Sequence, residues 1–326
     1  MSEKGIRSTR IVPAIPESIG WGVGLAVVAA CISGLAIWLN AFAVKQVPDA
    51  AVYTTLKNGV AAVVLLALAA PLVRRSDVGQ VDRTGWVGLT IVGVVGGGIA
   101  FLLFFTGLAM ASAPSAAFIQ KTMFVWVAIL AVPFLSERLG FVQIAALVAL
   151  AIGQALVLPP RGVAWGMGET MILIATLLWA VEVVIVRRVL RAVPTPIVAT
   201  GRLGIGLVVL VGYIVFTGRI GGLLALAPQA WGWILLTGLI LAGYVAAWFA
   251  ALRRAPATIV TSVLVGGAVI TGTLQALAKG GAPSVDLVGG YVLIAGAVGV
   301  TAFLALRTRP LGSGSAATTG IGSLDA

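Results

Sequence analysis

The feature that most constrains this chain is a succession of ten apolar stretches, each about long enough to cross a lipid bilayer as a helix. About 20 apolar residues, rising ~1.5 Å each, cover the ~30 Å hydrocarbon core. The stretches run approximately over 19–44, 49–73, 84–109, 114–135, 139–158, 165–190, 195–217, 228–252, 256–276 and 284–306. Prolines such as Pro48, Pro114, Pro159, Pro194, Pro228 and Pro256 stand at the breaks, where a helix ends or starts. Composition leads to the same place. Of 326 residues, 60% are hydrophobic and 10% charged, with a mean hydropathy of +1.13. A soluble domain holds roughly 45–50% and about 25%. Lipid must therefore solvate part of the surface, and the expected fold is an all-α polytopic membrane protein. One cysteine and no histidine exclude a disulfide framework, a histidine metal site and a histidine-dependent triad. Neither metal nor cofactor is expected.

The net charge of +11 concerns sidedness. Of 21 Lys and Arg, 14 fall in the N-terminal segment and the loops on its side. Four (Lys45, Arg161, Arg219, Lys279) fall in the opposite loops, and three (Lys57, Lys121, Arg202) inside helices. The positive-inside rule then gives ten spans with both termini cytoplasmic. Arg-over-Lys usage and abundant Ala and Gly suit a GC-rich bacterial genome, so the expected location is a bacterial inner membrane. Expected partners are the bilayer and a small-molecule substrate, with no nucleic acid, in a monomer or weak homodimer. Residues 1–18 and 307–326 read as polar cytoplasmic tails, the last disordered. Val28-Ala29-Ala30-Cys31 imitates a lipoprotein cleavage box, but the chain stays apolar to Val44. Cys31 is expected to be a small buried packing residue.

The sequence also repeats. Trp21-Gly22-x-Gly24 recurs as Trp165-Gly166-x-Gly168 at an offset of 144, and Lys57-x-Gly59 as Arg202-x-Gly204 at 145. Ala113-Pro114 recurs as Ala255-Pro256 at 142, and Gly153 as Gly296 at 143. Matches in order at nearly one offset divide the chain into two five-helix halves, 19–158 and 165–306. Five is odd, so the second half enters the membrane inverted. In such folds the binding site lies near the midplane, between the halves.

This plan resembles the drug/metabolite transporter superfamily, and best of all its EamA branch, over about 19–306. The residues that carry the likeness are the basic group early in helices two and seven, Glu137 closing helix four, and the Gly153/Gly296 position. The resemblance implies a secondary transporter that moves a small metabolite by alternating access. A lysine in helix four and an aromatic-rich interior are similar to bacterial amino-acid exporters of the YddG type, which implies aromatic or neutral amino-acid cargo. Organic cations, sugars and nucleotide-sugars remain competing cargoes. Two departures stand out. Helix four reads Gln120-Lys121-Thr122-Met123 where the family often has proline, and Lys279 stands near the place of a second Glu137. An intramembrane enzyme would need paired carboxylates, a metal cluster or an activated nucleophile at membrane depth, and no such set is visible. A passive scaffold would not need ionisable groups at depth from both halves.

Those groups are the candidates, because an intramembrane charge is costly. At ~1.5 Å per residue, Lys57 and Lys121 lie roughly 10–12 Å deep on the outer side. Glu182 and Arg202 share an inner layer. They either satisfy each other, or Glu182 serves as a protonatable coupling group or a ligand for a substrate amine. Lys57 has a stem long enough to snorkel outward. Lys121 has no acidic residue within a turn and suits a substrate carboxylate, with a structural role as the alternative. Trp21, Trp86, Trp165, Trp231 and Trp233 sit at helix ends, where they anchor at the interface. Trp38, Trp126, Trp179 and Trp248 lie deeper. Trp179 shares a helix face with Glu182, and Trp248 with Tyr244. These rings either pack between helices or wall a cavity. The expected substrate site is Lys121, Trp38, Trp179, Glu182, Tyr244 and Trp248, with Glu182–Arg202 as coupling or structural pair. Gly93-x-x-x-Gly97 and Gly266-Gly267 read as close helix contacts or as bending points.

Overall fold

The computed structural model describes residues 19–157, 165–224, 226–278, 280 and 284–307. Residues 1–18 and 308–326, Arg161 and Lys279 lie outside them, while Arg307, expected in the C-terminal tail, closes the last helix. Among the described residues every regular element is helical. Ten helices form the bundle: α1 Ile19–Ala43, α2 Ala50–Ala69, α3 Arg83–Met110, α4 Ala113–Leu135, α5 Phe141–Val157, α6 Met167–Val189, α7 Thr195–Phe216, α8 Pro228–Arg254, α9 Ala257–Ala278 and α10 Val285–Arg307. Nine are long and apolar enough to span a membrane. The fifth, α5, has 17 residues, or about 25 Å of rise, the short end of the spanning range.

Helix starts follow from local chemistry. Asp49 accepts from the amides of Ala51 (2.7 Å) and Val52 (3.3 Å) to cap α2. Asp82 accepts from Gly85 N (2.8 Å) at α3, and Ser112 from Ser115 N (3.2 Å) at α4. A side-chain oxygen there satisfies amides that have no partner within the helix. Helices α4, α7 and α8 carry proline in the first turn, where the missing N–H costs nothing.

The packing reproduces the repeat. Helix α1 packs along α8, and its equivalent α6 along α3; α2 lies against α8, and α7 against α3. Helix α4 lies against α6, and α9 against α1. The remaining major contacts, α2 with α7, α4 with α9 and α5 with α10, are each equivalent to themselves. The fold is two inverted five-helix repeats. Helices α5 and α10 stand at the edge, with Phe141 86% and Val285 88% exposed at their starts. Their crossing is made by Gly153, which packs on Gly290 and Ile294; Gly296 meets open space. The repeat match of Gly153 with Gly296 therefore does not mark equivalent contacts, because the crossing falls nearly two turns earlier on α10. Cys31 is exposed on the outer face of α1, not buried.

Three helices depart from regularity, all beside the centre. Helix α4 is interrupted at Thr122, and α9 at Val265–Gly266, equivalent places under the repeat. The break in α4 needs no proline. The Thr122 amide is shared between Phe118 O (3.3 Å) and Ile119 O (3.1 Å), and these carbonyls gain side-chain donors as well, Gln154 Nε2 on Phe118 O (2.6 Å) and Thr122 Oγ1 on Ile119 O (2.7 Å). In α3, residues Val92–Ile99 wind in wider π-helical turns. There Gly96 faces the Glu182 carboxylate so closely that a Cβ has no room.

Candidate functional site

The charged and aromatic residues of both halves meet at one cavity of about 80 Å³. It is lined by Ser33 and Asn40 of α1, Lys57 of α2, Phe101, Phe104 and Phe105 of α3, and Gln120 and Met123 of α4. The second half contributes Trp179 and Glu182 from α6, Arg202 from α7, and Thr237, Tyr244 and Trp248 from α8.

Glu182 and Arg202 form a buried, two-pronged ion pair. Arg202 Nε donates to Glu182 Oε1, and Nη2 to Glu182 Oε2 at 2.9 Å. Nη2 also donates to Gly96 O (3.1 Å), which accepts from Trp179 Nε1 as well (3.1 Å). The widened turn of α3 thus turns a backbone carbonyl toward two donors from the other half. The guanidinium lies 5.0 Å from the Phe101 ring centroid and 5.6 Å from that of Phe249. Among the described residues no hydrogen-bond partner reaches its buried Nη1.

Lys57 occupies the equivalent place in the first half. It is 1% exposed, so its ammonium does not snorkel out. Nζ donates to Asn40 Oδ1 (3.2 Å) and sits 3.3 Å from the Phe105 ring centroid and 5.5 Å from that of Phe101. Tyr53 Oη holds the same amide oxygen at 2.6 Å and lies 2.9 Å from Thr237 Oγ1, tying α1, α2 and α8 together. Among the described residues no carboxylate pairs with Lys57. The repeat explains the difference: where Arg202 meets Glu182, the equivalent of Glu182 in the first half is Trp38.

The rings form continuous walls. Trp179 lies 5.4 Å from Phe101 and 5.1 Å from Phe104, and Tyr244 stacks on Trp248 at 5.9 Å. Of the residues expected from sequence, Trp179, Glu182, Arg202, Tyr244 and Trp248 line the cavity. Lys121 and Trp38 do not. Lys121, 2% exposed, donates to Ser33 Oγ (2.7 Å) and abuts Gly267 at the break in α9. It stands one layer behind the wall that Ser33 forms. Trp38 packs edge-on against Phe42 at 4.9 Å. Lys57, expected from its sequence position to snorkel outward, instead lines the cavity, and Asn40, Gln120 and the Phe101-x-x-Phe104-Phe105 cluster join it there without having been expected; their signal was visible. The phenylalanines recur at helical spacing, and Lys57 aligns with Arg202.

Ties between the halves close both ends of the bundle. At the end rich in arginine, Glu137 accepts from Ala257 N (2.7 Å), Thr258 N (3.1 Å) and Thr258 Oγ1 (2.6 Å), capping α9 from the end of α4. Arg188 Nη2 donates to Phe134 O at 2.6 Å nearby. At the opposite end, Arg219 pairs with Asp49 at 2.8 Å. A larger groove of about 770 Å³ behind α2 is lined by apolar side chains apart from Thr55 and Trp231. It has too few polar groups to orient a polar cargo.

Among functionally curated proteins, none matches the chain. One solved crystal structure, described only as a protein, is similar over 91% of this chain and 100% of its own, with a TM-score of 0.68 at 20% identity. At that identity the likeness establishes the fold. The sequence profile of the EamA-like transporter family matches residues 20–158 and 166–303, the two halves in turn. Two inverted repeats, a charged cavity between them and this match over most of the chain make the protein a multi-pass membrane protein that belongs to the EamA-like transporter family.

Proposed function

We propose that the protein is a secondary transporter that exports a small carboxylate-bearing metabolite, an amino acid above all, from the cytoplasm of a bacterium. The arginine-rich end, with both termini, then faces the cytoplasm. The observation that carries this reading is Lys57: a buried ammonium on the cavity wall with an amide and aromatic faces for company, and no carboxylate paired with it among the described residues. A cargo carboxylate supplies the countercharge. The walls of Phe101, Phe104, Trp179, Tyr244 and Trp248 cover an apolar side chain.

The same chemistry couples cargo to movement. Closing the cavity around a bare ammonium is costly, and closing it around an ion pair costs less. Cargo therefore favours the closed state that each half-turn of the cycle must pass. At about 80 Å³ the cavity is contracted, below the roughly 300–1,000 Å³ of ligand sites, so cargo enters when the halves part. Glu182 is engaged by Arg202, so the wall offers an organic cation aromatic faces rather than a free carboxylate, beside the cation of Lys57. Lys121 supports the wall through Ser33 rather than touching cargo.

The test is counterflow in proteoliposomes with amino acids, their decarboxylated amines, sugars and organic cations. Carboxylated substrates should exchange, and Lys57→Met should slow them about tenfold or more, the worth of one charged hydrogen bond. Exchange of amines or sugars without carboxylates would overturn the assignment.

A further inference from the structure

We infer that Gln120 recognises the amino group of the cargo, so that the site selects amino acids over plain carboxylates. The inference rests on the reading of Lys57 as the carboxylate anchor and adds the opposite pole. Its basis is an account of the oxygen acceptors in the cavity wall. Both Glu182 oxygens accept from Arg202. Asn40 Oδ1 serves Tyr53 and Lys57, and Ser33 Oγ accepts from Lys121. Thr237 Oγ1 lies against Tyr53 and donates to Trp233 O at 2.7 Å. Among the described residues, Gln120 Oε1 is the buried oxygen of this wall that no donor reaches.

Gln120 is 7% exposed and lines the cavity. A buried acceptor without a donor is costly, and an arriving ammonium relieves that cost. The local backbone explains the aim. Gln120 and Lys121 end the first segment of α4 just before the break, about 100° apart on the helix. Lys121 therefore turns to Ser33 and the break in α9 while Gln120 turns to the cavity. Lys57 and Gln120 line the same cavity, so cargo held there lies between the two groups.

The experiment compares phenylalanine with 3-phenylpropionate, which keeps the ring and carboxylate and lacks the amine, as counterflow substrates in liposomes. The wild type should prefer phenylalanine by about tenfold. Gln120→Leu should bring phenylalanine down to the rate of the deaminated acid while leaving that acid within about twofold. Gln120→Glu, which keeps an acceptor, should retain the preference. Melting of each purified variant checks that the fold survives. A folded Gln120→Leu variant that keeps the preference, or that slows both substrates alike, overturns the role of Gln120 alone. A wild type that carries phenethylamine and neither acid overturns the Lys57 assignment and this inference with it.

Discussion

At the residue scale, the interior holds two equivalent cations with different fates. Arg202 has a carboxylate and Lys57 an amide. Removing one member of a buried pair strands the other and costs about 3–5 kcal/mol. Glu182→Gln and Arg202→Met should therefore each lower the melting temperature sharply. The double variant Glu182→Leu/Arg202→Met should recover part of the loss. A Glu182→Gln protein that melts like the wild type would argue for Glu182 as a coupling group. The pair was legible in sequence because two opposite charges fall at the same depth. The burial of Lys57 was not, since a lysine at that depth has the reach to escape. Packing by Phe105, a residue on another helix, decides it. For the same reason the sequence favoured Lys121 over Lys57 as the carboxylate ligand.

At the element scale, the irregular turns do the positioning. Gly96 lets the Glu182 carboxylate lie against the backbone of α3, while Gly96 O receives Trp179 and Arg202. Gly96→Ala places a methyl group where that carboxylate sits. It should reduce folded yield and transport much as Glu182→Gln does. Gly296→Ala, in open space, should leave both unchanged; matching losses at the two positions would contradict this account. The ten helices were legible because apolar runs and the prolines between them announce them. The break at Thr122 was not. A proline would have announced it, and here the weakly bonded carbonyls at the break gain donors from the Thr122 side chain and from Gln154 of α5, a partner that only the fold brings near.

At the scale of the whole molecule, the halves are joined at both ends. Glu137 caps α9 at one end, and Asp49 pairs with Arg219 at the other. Rocking of the inverted repeats about the cavity would part the halves at one of these ties at a time. A bifunctional thiol reagent joining Asp49→Cys to Arg219→Cys, in a Cys31→Ser background, should arrest counterflow. A reducible linker should restore it on reduction. Undiminished exchange by the linked protein would mean that this contact never separates. The repeat was legible as offsets near 144 residues. Its functional asymmetry, Trp38 where the other half has Glu182, became meaningful only once Lys57 and Arg202 were seen to share one cavity.

The central claim is that the uncompensated ammonium of Lys57 receives a cargo carboxylate. Equilibrium binding of phenylalanine and phenethylamine to the purified protein, with and without Lys57→Met, tests it most directly. The account predicts that phenylalanine binds the wild type and loses about tenfold or more in affinity in the variant, while phenethylamine binding stays weak and unchanged. Equal affinity for acid and amine in the wild type, or phenylalanine binding untouched by Lys57→Met, would contradict it.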